Sequence, residues 1–171
     1  MNHFEEFNIP VHFFPDLSLI RSRYYELSRL YHPDLKYDTK ELTDGDPLKK
    51  SSDLNTAYHT LMDFEQRVAY ILSQYGLMGD EARASVSSSF LLEMMDVNES
   101  VMEAKLEGDP DRLSSIAKEV ELIQEELVKE WETLCQQFDK TQNRSVLNEI
   151  KDAYLRNRYL IRLREQLDEE I

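Results

Sequence analysis

Between Leu113 and Phe138 the apolar residues recur at three- and four-residue steps: Leu113, Ile116, Ala117, Val120, Ile123, Leu127, Trp131, Leu134 and Phe138. No glycine or proline interrupts them. Such a sustained near-heptad stripe predicts one long helix, which buries its apolar side only against other helices. Its start is marked by Asp109-Pro110, a capping side chain followed by proline at the first helical position. Cys135, the only cysteine, falls on the apolar side and reads as a small buried hydrophobe.

Two further amphipathic stretches flank this one. The first runs from about Ser88 to Leu106 and ends at Gly108. The second starts after Asn143-Arg144-Ser145, runs to the C-terminus and turns Leu147, Ile150, Tyr154 and Ile161 inward. Short connections make the three an antiparallel bundle over residues 88–171. Upstream, residues 80–87 are small and polar and read as a linker. Residues 1–79 form a separate helical domain. In it Met1 to Pro10 gives a short helical turn, and Asp16 caps a helix ending near Tyr31. Asp34 to Pro47 is an exposed loop, and a third helix runs from about Leu48 to Tyr75, closed by Gly76 and Gly79. The helices before and after the loop suit an antiparallel hairpin. Glycine and proline are sparse and β-branched runs are absent, so the fold class is all-α.

Charge narrows the function. A net charge of −14 argues against nucleic acid and against anionic membrane surfaces, both of which are held by Lys and Arg. One cysteine rules out an internal disulfide or a four-thiolate zinc site. Neither a signal-peptide pattern nor about 20 consecutive apolar residues is present, so a cytoplasmic protein is expected. No pair of metal-ligating side chains stands at helical spacing, and no nucleophile motif is found, which argues against catalysis.

Two features point outward instead. Ile20, Tyr24, Leu27 and Tyr31 line the inner side of their helix, leaving Arg21, Tyr25 and Arg29 on the outer side. That helix runs into His32-Pro33-Asp34, where proline stops it and holds an imidazole and a carboxylate on a rigid turn. In the Ser88–Leu106 helix, Phe90, Met94, Val97, Val101 and Ala104 suffice for the core. Leu91, Leu92 and Met95 are left over and lie in line with Asp96, Glu99 and Glu103. A charged rim around an apolar patch suits a protein-binding surface. The last helix has a similar surplus in Leu155, Tyr159 and Leu163.

These residues resemble a known family. Tyr24, Leu27, Tyr31 and the His32-Pro33-Asp34 turn are similar to the J-domain pattern, and so are Leu54-Asn55-Thr56-Ala57-Tyr58, Leu61, Asp63, Arg67 and Tyr70. With the acidic helical bundle behind it, the chain resembles the HscB family of J-type co-chaperones of iron–sulfur cluster assembly. The cysteine count matches the bacterial-type form without a zinc module. Leu35 stands where J domains usually carry a basic residue, with Lys36 beside it, and Tyr25 and Glu26 occupy positions that are often basic.

The resemblance implies a binding protein that is not itself an enzyme and has no metal or cofactor. It would deliver an IscU-type scaffold to an HscA-type chaperone of the DnaK class and stimulate that chaperone's ATPase. Its chaperone-binding residues would be Arg21, Tyr25, Arg29, His32, Pro33, Asp34 and Lys36. The scaffold-binding residues would be Leu91, Leu92, Met95, Asp96, Glu99, Glu103 and Tyr159. Three other readings are weighed against it: a J protein whose bundle holds a different client, a helical metallohydrolase using His32, Asp34 and His59, and a structural bundle with no client.

Overall fold

The computed structural model describes residues 2–31, 47–79 and 86–169. The chain divides into two compact units, Met1–Gln74 and Tyr75–Ile171. Every regular element among the described residues is helical. In the first unit these are α1 (His3–Glu6), α2 (Leu17–Tyr31), α3 (Pro47–Met62) and α4 (Phe64–Gln74); in the second, α5 (Ser88–Glu107), α6 (Pro110–Thr141) and α7 (Leu147–Asp168).

The first unit closes around Phe4, Phe7, Phe13, Ile20, Leu54, Leu61, Ile71 and Leu72, all buried. Helix α1 has only one turn and depends on its cap. The Asn2 side chain accepts from the Phe4 N–H at 3.0 Å, while the Glu5 carboxylate accepts from the Asn2 N–H at 3.1 Å. Tyr70 of α4 then pins it, accepting from the His3 N–H at 2.9 Å and stacking on the His3 ring at 4.1 Å.

Asp16 caps α2 as expected, accepting from the Ser18 and Leu19 N–H groups at 2.9 and 3.1 Å. Helices α2 and α3 pack antiparallel. The Tyr24 and Tyr58 rings stack at 4.0 Å, the Tyr24 hydroxyl donates to Asn55 at 2.8 Å, and Lys50 lies over the Tyr31 ring.

The single helix expected from Leu48 to Tyr75 is two. Asp63 breaks it, and its side chain caps α4 by accepting from the Gln66 N–H at 2.8 Å. The corner is held by Arg67, a buried guanidinium only 3% exposed. Its Nε donates to the Phe13 carbonyl at 2.8 Å, and its Nη1 donates to the Leu61 carbonyl, the last turn of α3. The ring of Phe64 lies 5.6 Å from the guanidinium carbon.

The second unit is an antiparallel three-helix bundle. At 32 residues, α6 is about 48 Å long and supplies its spine. Asp109 caps it by accepting from the Arg112 N–H at 3.0 Å, with Pro110 opening the first turn. Just before it, Gly108 ends α5 in the left-handed conformation, φ 63°, which a residue without Cβ adopts at little cost. Leu113, Ile116, Val120, Leu127, Trp131, Cys135 and Phe138 are buried; Ala117, Ile123 and Leu134 are half-buried at the edges of the stripe.

Helix α7 buries a wider and differently phased side than its apolar spacing predicts. Leu147, Ile150 and Tyr154 are inward, but Ile161 is half-buried and Leu160, Leu163 and Leu167 take the core. Leu163 is therefore not a surplus residue. The phase is fixed by buried Asn157, whose carbonyl oxygen accepts from Gln124 of α6 at 3.0 Å. Gln124 in turn accepts from Arg164 at 2.9 Å. Burying an amide this way is tolerated because its partner comes with it. Among the described residues no helix is long and apolar enough to cross a membrane.

Candidate functional site

The helical spacing of α2 places Arg21, Tyr25 and Arg29 on one ridge, a turn apart, about 12 Å from first to last. All three are exposed, and among the described residues neither arginine makes an ion pair. Their orientation follows from the opposite side of the helix. Ile20 is buried, Tyr24 is held by Tyr58 and Asn55, and Arg23 donates to the Phe7 carbonyl at 2.7 Å. The last turn is anchored by Tyr31, whose hydroxyl donates to Glu6 at 3.4 Å. Burial, then the nearby Glu6 charge, pushes the Tyr31 phenol above its ordinary range, so it stays a neutral donor. His32, Pro33, Asp34 and Lys36 lie outside the described residues.

On α5 the separation between inner and outer residues is sharp. Phe90, Met94, Val97, Val101 and Ala104 are buried. Leu91, Leu92 and Met95 are exposed, the last two at 66% and 62%. Asp96, Glu99 and Glu103 are exposed alongside them. The helix needs only one stripe to join the bundle, so these three apolar side chains face water at a cost of about 25 cal/mol per Å2 of apolar surface that could have been buried. An apolar cluster beside carboxylates can take up a partner's apolar side chains and orient its basic groups.

Tyr159 of α7 packs against α5. It is half-buried, its ring meets Phe90 edge-on at 5.5 Å, and its hydroxyl accepts from Asn98 of α5 at 2.7 Å. Two connected tethers thus fix a phenol at the margin of the patch. The residue that sequence reasoning missed is Arg112. It bridges Glu103 at 2.7 Å and Glu107 at 3.0 Å. The hydrogen bond to Glu103, first among several causes, holds its guanidinium above the ordinary range. Nothing local in the sequence marks it, because the pair forms only once α6 returns antiparallel to α5.

Among the described residues no three His, Cys, Asp or Glu side chains come together to hold a metal. His59 is exposed on α3, while its suggested partners His32 and Asp34 lie outside the described residues.

Comparison with known proteins matches two family descriptions to separate parts of the chain. Residues 2–70 match the DnaJ domain, and residues 86–168 match the HSCB C-terminal oligomerisation domain. A co-chaperone protein HscB homolog from Colwellia psychrerythraea is 36% identical over 112 residues, 65% of this chain and 64% of that protein. One from Shewanella pealeana is 33% identical over 112 residues, with the same shares, 65% and 64%. The match thus spans 64% of the length of these curated relatives. The human co-chaperone protein HscB superposes with a TM-score of 0.69 at 24% identity, over 99% of this chain and 82% of that one. The chaperone HscB from Vibrio cholerae gives 0.63 at 23%, over 99% and 96%. At those identities the structural likeness is one of fold.

Proposed function

The chain belongs to the HscB family, a J domain joined to a helical C-terminal domain, and from that footing we propose that it is a co-chaperone of iron–sulfur protein maturation. It binds an IscU-type scaffold through its bundle and hands it to an HscA-type chaperone of the DnaK class, whose ATPase it stimulates. In this reading residues 1–79 form the J domain, 80–87 the linker and 88–171 the scaffold-binding domain. The chaperone meets Arg21, Tyr25, Arg29, His32, Pro33, Asp34 and Lys36. The scaffold meets Leu91, Leu92, Met95, Asp96, Glu99, Glu103 and Tyr159.

The observation that carries this reading is the division of α5. Five side chains satisfy the bundle, and a separate set of exposed leucines, methionine and carboxylates is left facing water, in a chain whose other unit matches the DnaJ domain. A basic ridge on α2 complements an acidic chaperone surface, where charge sets on-rate and register more than affinity. The protein does not hydrolyse ATP. It favours the hydrolysis-competent state of its partner by binding that state more tightly. On the bundle, desolvated Leu92 and Met95 carry most of the affinity, and Asp96 and Glu99 orient a basic scaffold patch.

The test is steady-state ATPase of the chaperone with this protein, with an IscU-type scaffold, and with both. Synergy between the two supports the transfer role. Stimulation without synergy keeps the J domain and points to a different client. No stimulation at all refutes the reading.

A further inference from the structure

The exposed apolar row on α5 is longer than the patch assigned to the scaffold. At 3.6 residues per turn, Leu91, Met95, Met102 and Leu106 fall within roughly 60° of one another. They form one ridge running from the first turn of the helix to the last, about 22 Å. Met102 is 66% exposed and Leu106 80%, as open as Leu92 and Met95. The bundle does not need them, since Val101 and Ala104 already fill the core at that level. Single apolar residues on a surface are ordinary, but a ridge in register with a candidate interface is a continuous surface.

The charges beside the ridge are uneven. Asp96 and Glu99 flank its first half, and among the described residues neither makes an ion pair. Glu103 and Glu107 flank the second half, where Arg112 bridges both. The first half thus offers two open carboxylates, while the second offers apolar surface beside two carboxylates that share one guanidinium. A partner matched to this pattern is apolar along its length and most basic where it meets Asp96 and Glu99.

We propose that the scaffold contact runs the full length of α5, with Met102 and Leu106 as a second pair of apolar anchors about 10 and 16 Å beyond Met95. The inference rests on the scaffold reading above and extends it. Methionines at Met95 and Met102 suit this role, because an unbranched thioether side chain adapts to an uneven partner surface.

The test is calorimetric titration of an IscU-type scaffold into the full chain and two double variants, Leu92→Ala/Met95→Ala and Met102→Ala/Leu106→Ala. All four positions are exposed and alanine favours helix, so helicity by circular dichroism should be unchanged. Each pair is expected to weaken binding by roughly tenfold or more. The loss from Met102→Ala/Leu106→Ala should be insensitive to salt between low and physiological ionic strength. Wild-type affinity in that variant, with Leu92→Ala/Met95→Ala weakened, overturns the extension and leaves the scaffold reading intact. Unchanged affinity in Leu92→Ala/Met95→Ala overturns the scaffold reading itself. Sedimentation of the protein alone supplies the remaining control. Self-association abolished by Met102→Ala/Leu106→Ala would mean that a second copy covers the ridge, and the proposal would fail.

Discussion

Replacing Arg67 by alanine should cost the first unit a large part of its stability. The guanidinium is buried and donates to two carbonyls from different segments, Phe13 before α2 and Leu61 at the end of α3. Hydrogen bonds to a charged group contribute about 1.5–3 kcal/mol each, and truncation leaves both buried carbonyls without this donor. The expected loss is therefore about 3–5 kcal/mol, against a total stability of about 5–15 kcal/mol for a typical domain. In a unit of this size that corresponds to a fall in Tm on the order of 15–30 °C. Arg67→Lys should lose about half as much, because one ammonium cannot replace a fork that reaches two carbonyls at once. The assay is urea unfolding of the full chain followed by far-UV circular dichroism. Fluorescence of Trp131, the only tryptophan and buried in the second unit, separates changes there from those in the first. A loss under about 1 kcal/mol in Arg67→Ala would refute the argument, since it would mean that water or a neighbour replaces the guanidinium without penalty.

Three further outcomes are expected. His3 is held below its ordinary pKa of 6.5, mainly by burial against Tyr70 and with Asp53 opposing, so the unfolded chain binds a proton more readily. Its contribution is fully present above pH 6.5 and is lost as the pH falls below it; His3→Phe should flatten the acid side of the stability profile, and an identical profile would contradict this. Arg112→Ala releases Glu103 and Glu107 from their bridge and should speed association with a basic scaffold while steepening its salt dependence; slower association in stopped-flow mixing would show that Arg112 itself meets the partner. His32→Gln should leave Tm unchanged and abolish chaperone stimulation, and a large drop in melting temperature would instead make that turn structural.

Some of the site is legible in the sequence because only local geometry is involved. The five core positions of α5 follow from one helical period, and whatever lies across the helix from them must face water. The same holds for Arg21, Tyr25 and Arg29 on α2. Asp16 and Asp109 are readable as caps because each stands between an extended or proline-marked stretch and a periodic one. Asp63 is not readable in that way. It lies within a continuous apolar period, with no glycine or proline beside it, and becomes a cap only because Arg67 draws the Leu61 carbonyl and the Phe13 carbonyl to one corner. Arg112 and Glu103 are nine residues apart, on helices whose antiparallel return has to exist before they can meet.

By itself the sequence determined the all-α class, most helix ends and which described side chains of α2 and α5 are exposed. These depend on side-chain period, capping and backbone stereochemistry, which act within a few residues. Tertiary structure alone decided which polar groups are buried. Arg67 bonds to a carbonyl 54 residues away, and Asn157 to a glutamine 33 residues away. A buried polar group is stable only when its partner is buried with it. Polar residues of this kind break the apolar period, so α7 turned Leu160 and Leu163 inward in place of Ile161, and one expected helix became α3 and α4.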